Sequence, residues 1–147
     1  MEELRTTGET VQFIVIQMGN EQYGIDIKYV ENIVRMQHAT RVPKVAPYIK
    51  GVINLRGEVI PIMNLRCKME LPVVEDTNST RIIIVKLEQL GVVGLIVDEV
   101  KEVVTLSVDT IEKVSYDKDE KNMFLMGVGK HNDALISLLD LNAVVSE

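Results

Sequence analysis

Apolar residues along this chain come in short blocks bounded by Gly, Pro, Asn and Asp, the pattern of β-strands joined by tight turns. Val11–Met18 (VQFIVIQM) reads as a strand that Gly19-Asn20 turns back into Gln22–Ile27. Lys28–Asn32 suggests one helical turn, Ile33–Met36 resumes an apolar run, and Gln37–Pro47 is a loop pinned by Pro43 and Pro47. Tyr48–Leu65 (YIKGVINLRGEVIPIMNL) reads as one hairpin. Val52–Leu55 runs out, Arg56-Gly57 makes the turn with Gly57 tolerating positive φ, and Glu58–Met63 returns. Pro61 cannot donate to a ladder, so it predicts that the return strand lies at a sheet edge or a bulge. Asn64 is a favoured N-cap type, and Leu65–Glu70 is the short helix that it opens.

Leu71–Thr80 (LPVVEDTNST) has turn formers and charge without periodicity and reads as a linker between two halves, residues 11–70 and 81–147. In the second half Arg81–Leu87, Val92–Val97 and Val100–Leu106 read as strands. A polar segment through Asn122, a last hairpin and a terminal helix follow.

The halves repeat each other. A shift of 70 lays Gly24–Met36 on Gly94–Leu106, superposing Gly24 with Gly94, Val30 with Val100 and Val34 with Val104. A shift of 76 lays Gly51–Leu65 on Gly127–Leu141, superposing Gly51 with Gly127, Ile60 with Ile136, Asn64 with Asp140 and Tyr48 with Phe124. Each half therefore ends in the same strand-to-capped-helix step. A half near 60 residues buries too little surface to be stable alone, so the two should share a core and leave a cleft at their junction. A cooperatively folded fragment 1–70 would contradict this. The whole chain is then a single domain, mostly β, with elements free to be exchanged between the halves.

Composition narrows the function more than the fold. The 147 residues include 46% hydrophobic ones and carry a net charge of −6, which disfavours a phosphate-backbone binder and sets nucleic acid aside. One cysteine excludes an intrachain disulfide. The start MEELRTTGET lacks the features of a signal peptide, and no apolar run approaches the ~18 residues of a membrane helix, so the expected address is the cytoplasm. His38, His131 and Cys67 have no ligand-like spacing. Gly127–Lys130 (GVGK) fails as a phosphate loop, because Phe124 stands where its first glycine belongs and His131 where its Ser/Thr belongs. Asp117–Asn122 (DKDEKN) fails as a calcium loop and reads as charged surface. Asp98, Glu99 and Glu102 read as a solvated face, and the sequon Asn78-Ser79-Thr80 as polar linker. No catalytic constellation, metal or cofactor is expected, which leaves recognition.

VENIVRM at Val30–Met36, Pro43 and YIKGVINLRGEVIPIMNLR at Tyr48–Arg66, with GVVGLIVDEV at Gly91–Val100 and LISLLDL at Leu135–Leu141, resemble the CheW family of bacterial chemotaxis coupling proteins. The resemblance covers nearly the whole chain. It implies two five-stranded SH3-like β-barrels packed together, with short helices including a C-terminal one, and a non-catalytic adaptor. The implied partners are the C-terminal regulatory domain of the histidine kinase CheA and the cytoplasmic tip of methyl-accepting chemotaxis receptors, with the membrane reached only through the receptors. The kinase's phosphorylatable-histidine domain and ATP-binding motifs and the receiver domain of the CheV type are not found, so a free-standing coupler is expected. Matching the family motif places partner contacts at Val30, Asn32, Ile33, Asn54 and Arg56, with Gly51 and Gly57 shaping the backbone. Core burial is the alternative for Val30 and Ile33, and a solvated turn for Arg56. A small-ligand-binding or enzymatic β-barrel using the interbarrel cleft, or a coupler of a non-chemotaxis chemosensory pathway, are the competing functions.

Overall fold

The computed structural model describes residues 9–113 and 123–146, so the charged segment Asp117–Asn122 lies outside the described residues. Among the described residues eleven strands form two sheets. One is six-stranded, in the order β8 (Glu99–Ser107), β1 (Thr10–Met18), β2 (Glu21–Asp26), β11 (Ala134–Leu139), β10 (Leu125–His131), β9 (Glu112–Lys113). The other is five-stranded, in the order β3 (Val30–Arg35), β6 (Arg81–Leu87), β7 (Gly91–Val97), β5 (Glu58–Asn64), β4 (Ile49–Leu55). The short helices α1 (Leu65–Lys68) and α2 (Leu141–Val145) follow β5 and β11.

The sheets do not follow the halves of the sequence. The six-stranded sheet joins β1 and β2 from before the linker to β8–β11 from after it, and the other joins β3–β5 to β6 and β7. Substituting each strand by its counterpart in the repeat turns one order into the other. The sixth strand, β9, is only two residues long; its counterpart is the isolated bridge from Thr40 to Val52. The parallel joints correspond too: β11 meets β2 with Leu138 opposite Gly24, and β5 meets β7 with Ile62 opposite Gly94. At both glycines a Cβ would run into the facing side chain, Leu138 Cδ2 at 2.9 Å and Ile62 Cδ1 at 2.6 Å, which explains why glycine recurs at that step of the repeat.

The exchange also explains the unbroken apolar runs, because a strand buried on both faces has no polar side to alternate with. Along β1, Phe13 and Val15 enter a small core within the six-stranded sheet, while Ile14, Ile16 and Met18 enter a central core between the sheets. Along β6, Ile82 and Ile84 enter the small core of the five-stranded sheet, while Ile83, Val85 and Leu87 join the central one. The central core is the largest of the three and draws on both halves.

Local expectations hold unevenly. Lys28–Asn32 is not a helical turn: the chain makes a 3₁₀ turn at Ile27–Tyr29, capped by the Asp26 side chain, and Val30 already starts β3. Pro61 is not at a sheet edge, since β5 lies between β4 and β7. It is tolerated because the facing Val52 exchanges its backbone bonds with Thr40, and the ladder to β7 begins only at Ile62. The helix after Asn64 stops at Lys68, with Glu70 at φ 61. Both expected caps form: Asn64 Oδ1 accepts from the Cys67 N–H at 3.2 Å, and Asp140 Oδ1 from the Ala143 N–H at 3.3 Å.

Candidate functional site

Two clefts lie at the junction of the sheets, and the repeat relates them. The first, about 940 Å³, is lined by Lys28, Tyr29 and Val30, the β6–β7 turn and Asn142 of α2. The second, about 820 Å³, is lined by the β1–β2 turn, Tyr23, Arg66 and Met69, and by Phe124. A shift of 76 carries Arg66 onto Asn142, and a shift of 70 carries Lys28 onto Asp98.

Their chemistry differs. In the second cleft Arg66 and Asp98 form a two-pronged ion pair, with Nε to Oδ1 at 2.8 Å and Nη2 to Oδ2 at 2.6 Å. Asp98 Oδ2 also accepts the Gly19 N–H at 2.9 Å, and Arg66 Nη1 donates to the Pro72 carbonyl at 2.6 Å. One cluster thus ties α1, the β7–β8 turn, the β1–β2 turn and the start of the linker. The Arg66 hydrogen bonds hold the Asp98 carboxyl below its usual range; partial burial opposes them and the Gly19 amide reinforces them. Asp98 is therefore not part of a solvated face, as the sequence suggested, but a half-buried anchor. Nearby, burial and the hydrogen bond to Glu21 at 2.9 Å push the Tyr23 hydroxyl up to about 12, so it remains a donor at neutral pH. In the first cleft the corresponding positions, Lys28 and Asn142, form no such brace among the described residues; Lys28 lies 3.9 Å from Asp26 instead.

The residues singled out by sequence fall into two groups. Val30 is half-buried against the central core and lines the first cleft. Asn32 and Ile33 follow on β3, an edge strand, where Asn32 Oδ1 accepts the Ile33 N–H at 2.9 Å and Ile33 is exposed. Asn54 and Arg56 sit on the β4–β5 turn, next to Leu55, which packs with Val34 and Met36 on the small core of the five-stranded sheet. The two groups therefore flank different cores.

At that turn Arg56 (φ 54) and Gly57 (φ 83) are both left-handed, and Asn54 Oδ1 accepts the Gly57 N–H at 3.1 Å. This is the turn type that matches the twist of a two-residue hairpin, but it favours Asn or Asp at its first central position, not Arg. Arg56 is exposed and forms no ion pair among the described residues. Gly51 has φ 152 and lies where a Cβ would press into the Thr40 carbonyl.

Sequence spacing did not reveal the Arg66–Asp98 pair, whose members are 32 residues apart, or the convergence on Lys68. The Lys68 ammonium lies 4.1 Å from the Tyr48 ring centre and 5.9 Å from that of Phe124, and it donates to the Ser146 carbonyl at 2.8 Å. The repeat had paired Tyr48 with Phe124, the one signal that pointed there. Among the described residues no group of three His, Cys, Asp or Glu side chains could hold a metal ion, and no helix is long and apolar enough to cross a membrane.

The fold is a two-sheet β domain built by exchange of strands between repeated halves. The CheW-like domain model matches residues 12–147, and the chain belongs to the CheW family. It is 38% identical over 142 residues to the chemotaxis protein CheW of Bacillus subtilis, covering 96% of this chain and 89% of that protein. It is 34% identical over 145 residues to the chemotaxis protein CheW of Klebsiella aerogenes, covering 97% of this chain and 87% of that one. The crystal structure of the scaffolding protein TtCheW from Thermoanaerobacter tengcongensis superposes with a TM-score of 0.87 at 29% identity, covering 95% of this chain and 94% of that one.

Proposed function

We propose that the protein is a non-catalytic cytoplasmic adaptor that couples methyl-accepting chemotaxis receptors to the regulatory domain of the kinase CheA in a ternary complex. The observation that carries this reading is the asymmetry between the two related clefts. One is closed to rearrangement by Arg66–Asp98, while the other lacks the brace and is continuous with an exposed edge strand. Such an unbraced cleft suits the helical hairpin of a receptor tip, docked by apolar contact at Val30 and Ile33 with Asn32 beside them. Arg56, held in a conformation the turn does not favour for its residue type, provides a separate contact. Because receptor and kinase would bind one rigid body, a receptor that differs in affinity between its signalling states would shift the kinase equilibrium by that difference.

The test is calorimetric titration of a receptor tip fragment onto wild type and onto Asn32→Ala and Arg56→Ala. Weaker binding in these variants is expected, and unchanged affinity in both would defeat the site assignment. Co-sedimentation with receptor fragment and kinase domain tests the ternary complex itself.

A further inference from the structure

We infer that the face formed by the β3–β4 loop and the linker is a docking surface for an acidic, partly apolar segment of a partner polypeptide, separate from the cleft at Val30 and from the Arg56 turn. Residues 32–57 contain Arg35, Arg41, Lys44, Lys50 and Arg56 and no Asp or Glu, a charge of +5 in a chain of −6, so the rest carries −6 − 5 = −11. The fold gathers most of this charge. Two adjoining depressions of about 650 and 380 Å³ share Met36 in their walls. Among the described residues Arg35, His38, Arg41, Lys50 and Arg81 line them against a single acid, Asp76. Among the described residues Asp76 reaches only Lys50, at 3.8 Å with both side chains more than two-fifths exposed, a pairing too solvated to cancel the field.

The surface is formed in advance. Thr40 and Val52 exchange backbone hydrogen bonds at 2.8 Å each, and the Ile49 N–H reaches the Ala46 carbonyl at 2.9 Å. A partner would therefore not have to order this loop on arrival.

The repeat supplies an internal control. Shifted by 70, Arg35 falls on Thr105, and shifted by 76, Lys50 falls on Met126. The second sheet folds in the same order without cations at the Arg35 and Lys50 positions, though Lys113 stands where Arg41 does, so the architecture does not require Arg35 or Lys50. Two features select a peptide over other polyanions. Met36 and Ile49 lie among the cations, and Val42 and Val45 of the same loop are exposed, which offers apolar contact that a phosphate backbone does not use. The −11 carried elsewhere repels an extended polyanion or an anionic membrane but not a short segment confined to this face.

The experiment is fluorescence titration of the full chain with a short labelled peptide alternating Glu and Leu. A DNA duplex and phosphatidylserine vesicles are titrated in parallel. Saturable peptide binding that weakens with salt, falls at least about tenfold in the double variant Arg41→Glu/Lys50→Glu and is unchanged in Lys130→Glu is the expected result. If the reversed variant does not fold, Arg41→Gln/Lys50→Gln carries the same test with a smaller loss. Absence of saturable binding, insensitivity to these substitutions, or equal binding of the duplex or the vesicles would overturn the proposal.

Discussion

The two clefts at the sheet junction are built from equivalent strands, turns and helix starts, yet one is cross-linked by Arg66 and Asp98 and the other has Asn142 and Lys28 at the same places. A repeated fold separates what architecture demands from what one copy adds. Features present twice, such as the glycine at the parallel joint, the capping residue and the bridge beside Gly51 or Gly127, belong to the fold. Features present once are either local reinforcement, as with Arg66–Asp98, or are not required by the fold, as with Arg56.

The comparison can be broken most severely at the glycines after the strand bulges. Gly51→Ala should cost about 3 kcal/mol, combining backbone strain at φ 152 with intrusion on the Thr40 carbonyl. Gly127→Ala should cost about 1 kcal/mol, because Gly127 is absent from the positive-φ residues and a Cβ would meet the Glu112 carbonyl oxygen at 2.9 Å. Urea unfolding of the two variants measures the difference, and equal losses would remove the distinction.

The brace itself comes next. Asp98→Asn should destabilise by about 2 kcal/mol at neutral pH, the scale of hydrogen bonds to a charged group in a partly buried site. Because the folded pKa of Asp98 is depressed, this contribution is complete above the unfolded value near ~4 and disappears as pH falls through the folded value. Wild type and variant should therefore converge in stability in acid, as urea titrations at neutral and acidic pH would record. A gap independent of pH would mean that packing, not charge, holds the cluster.

The smallest effect has the opposite sign. Arg56→Asn gives the first hairpin the residue type found at Asn132 (φ 51) in the second, and should stabilise the protein by about 0.5–1 kcal/mol. A gain in the unfolding midpoint together with weaker partner binding would show that arginine is kept there for contact and not for the turn.

Much of this was legible in the sequence, and the parts that were not have physical causes. The hairpins, the caps at Asn64 and Asp140 and the equivalence of Tyr48 with Phe124 follow from local rules and the repeat. The exchange of strands was left open, since a period in the sequence says which segments are alike but not which partner each one pairs with. Val30 falls within a five-residue segment in which a single 3₁₀ turn and a strand start look alike from sequence. Asp98 was misread because its partner lies 32 residues away, and strand spacing is blind to contacts made through a helix start. For the candidate site, the residues were named from the family motif, but only the folded chain separates Val30, against the central core, from Arg56, beside the small one.

Blocking each cleft with a bulky exposed side chain distinguishes a receptor seated in the unbraced cleft from one seated in the braced cleft. Asn142→Trp fills the first cleft and Glu70→Trp the second, and both positions are solvent-facing. Calorimetric titration with a receptor tip fragment should show at least about tenfold weaker binding, or about 1.4 kcal/mol, for Asn142→Trp and little change for Glu70→Trp. Equal losses, or a loss confined to Glu70→Trp, would contradict the account.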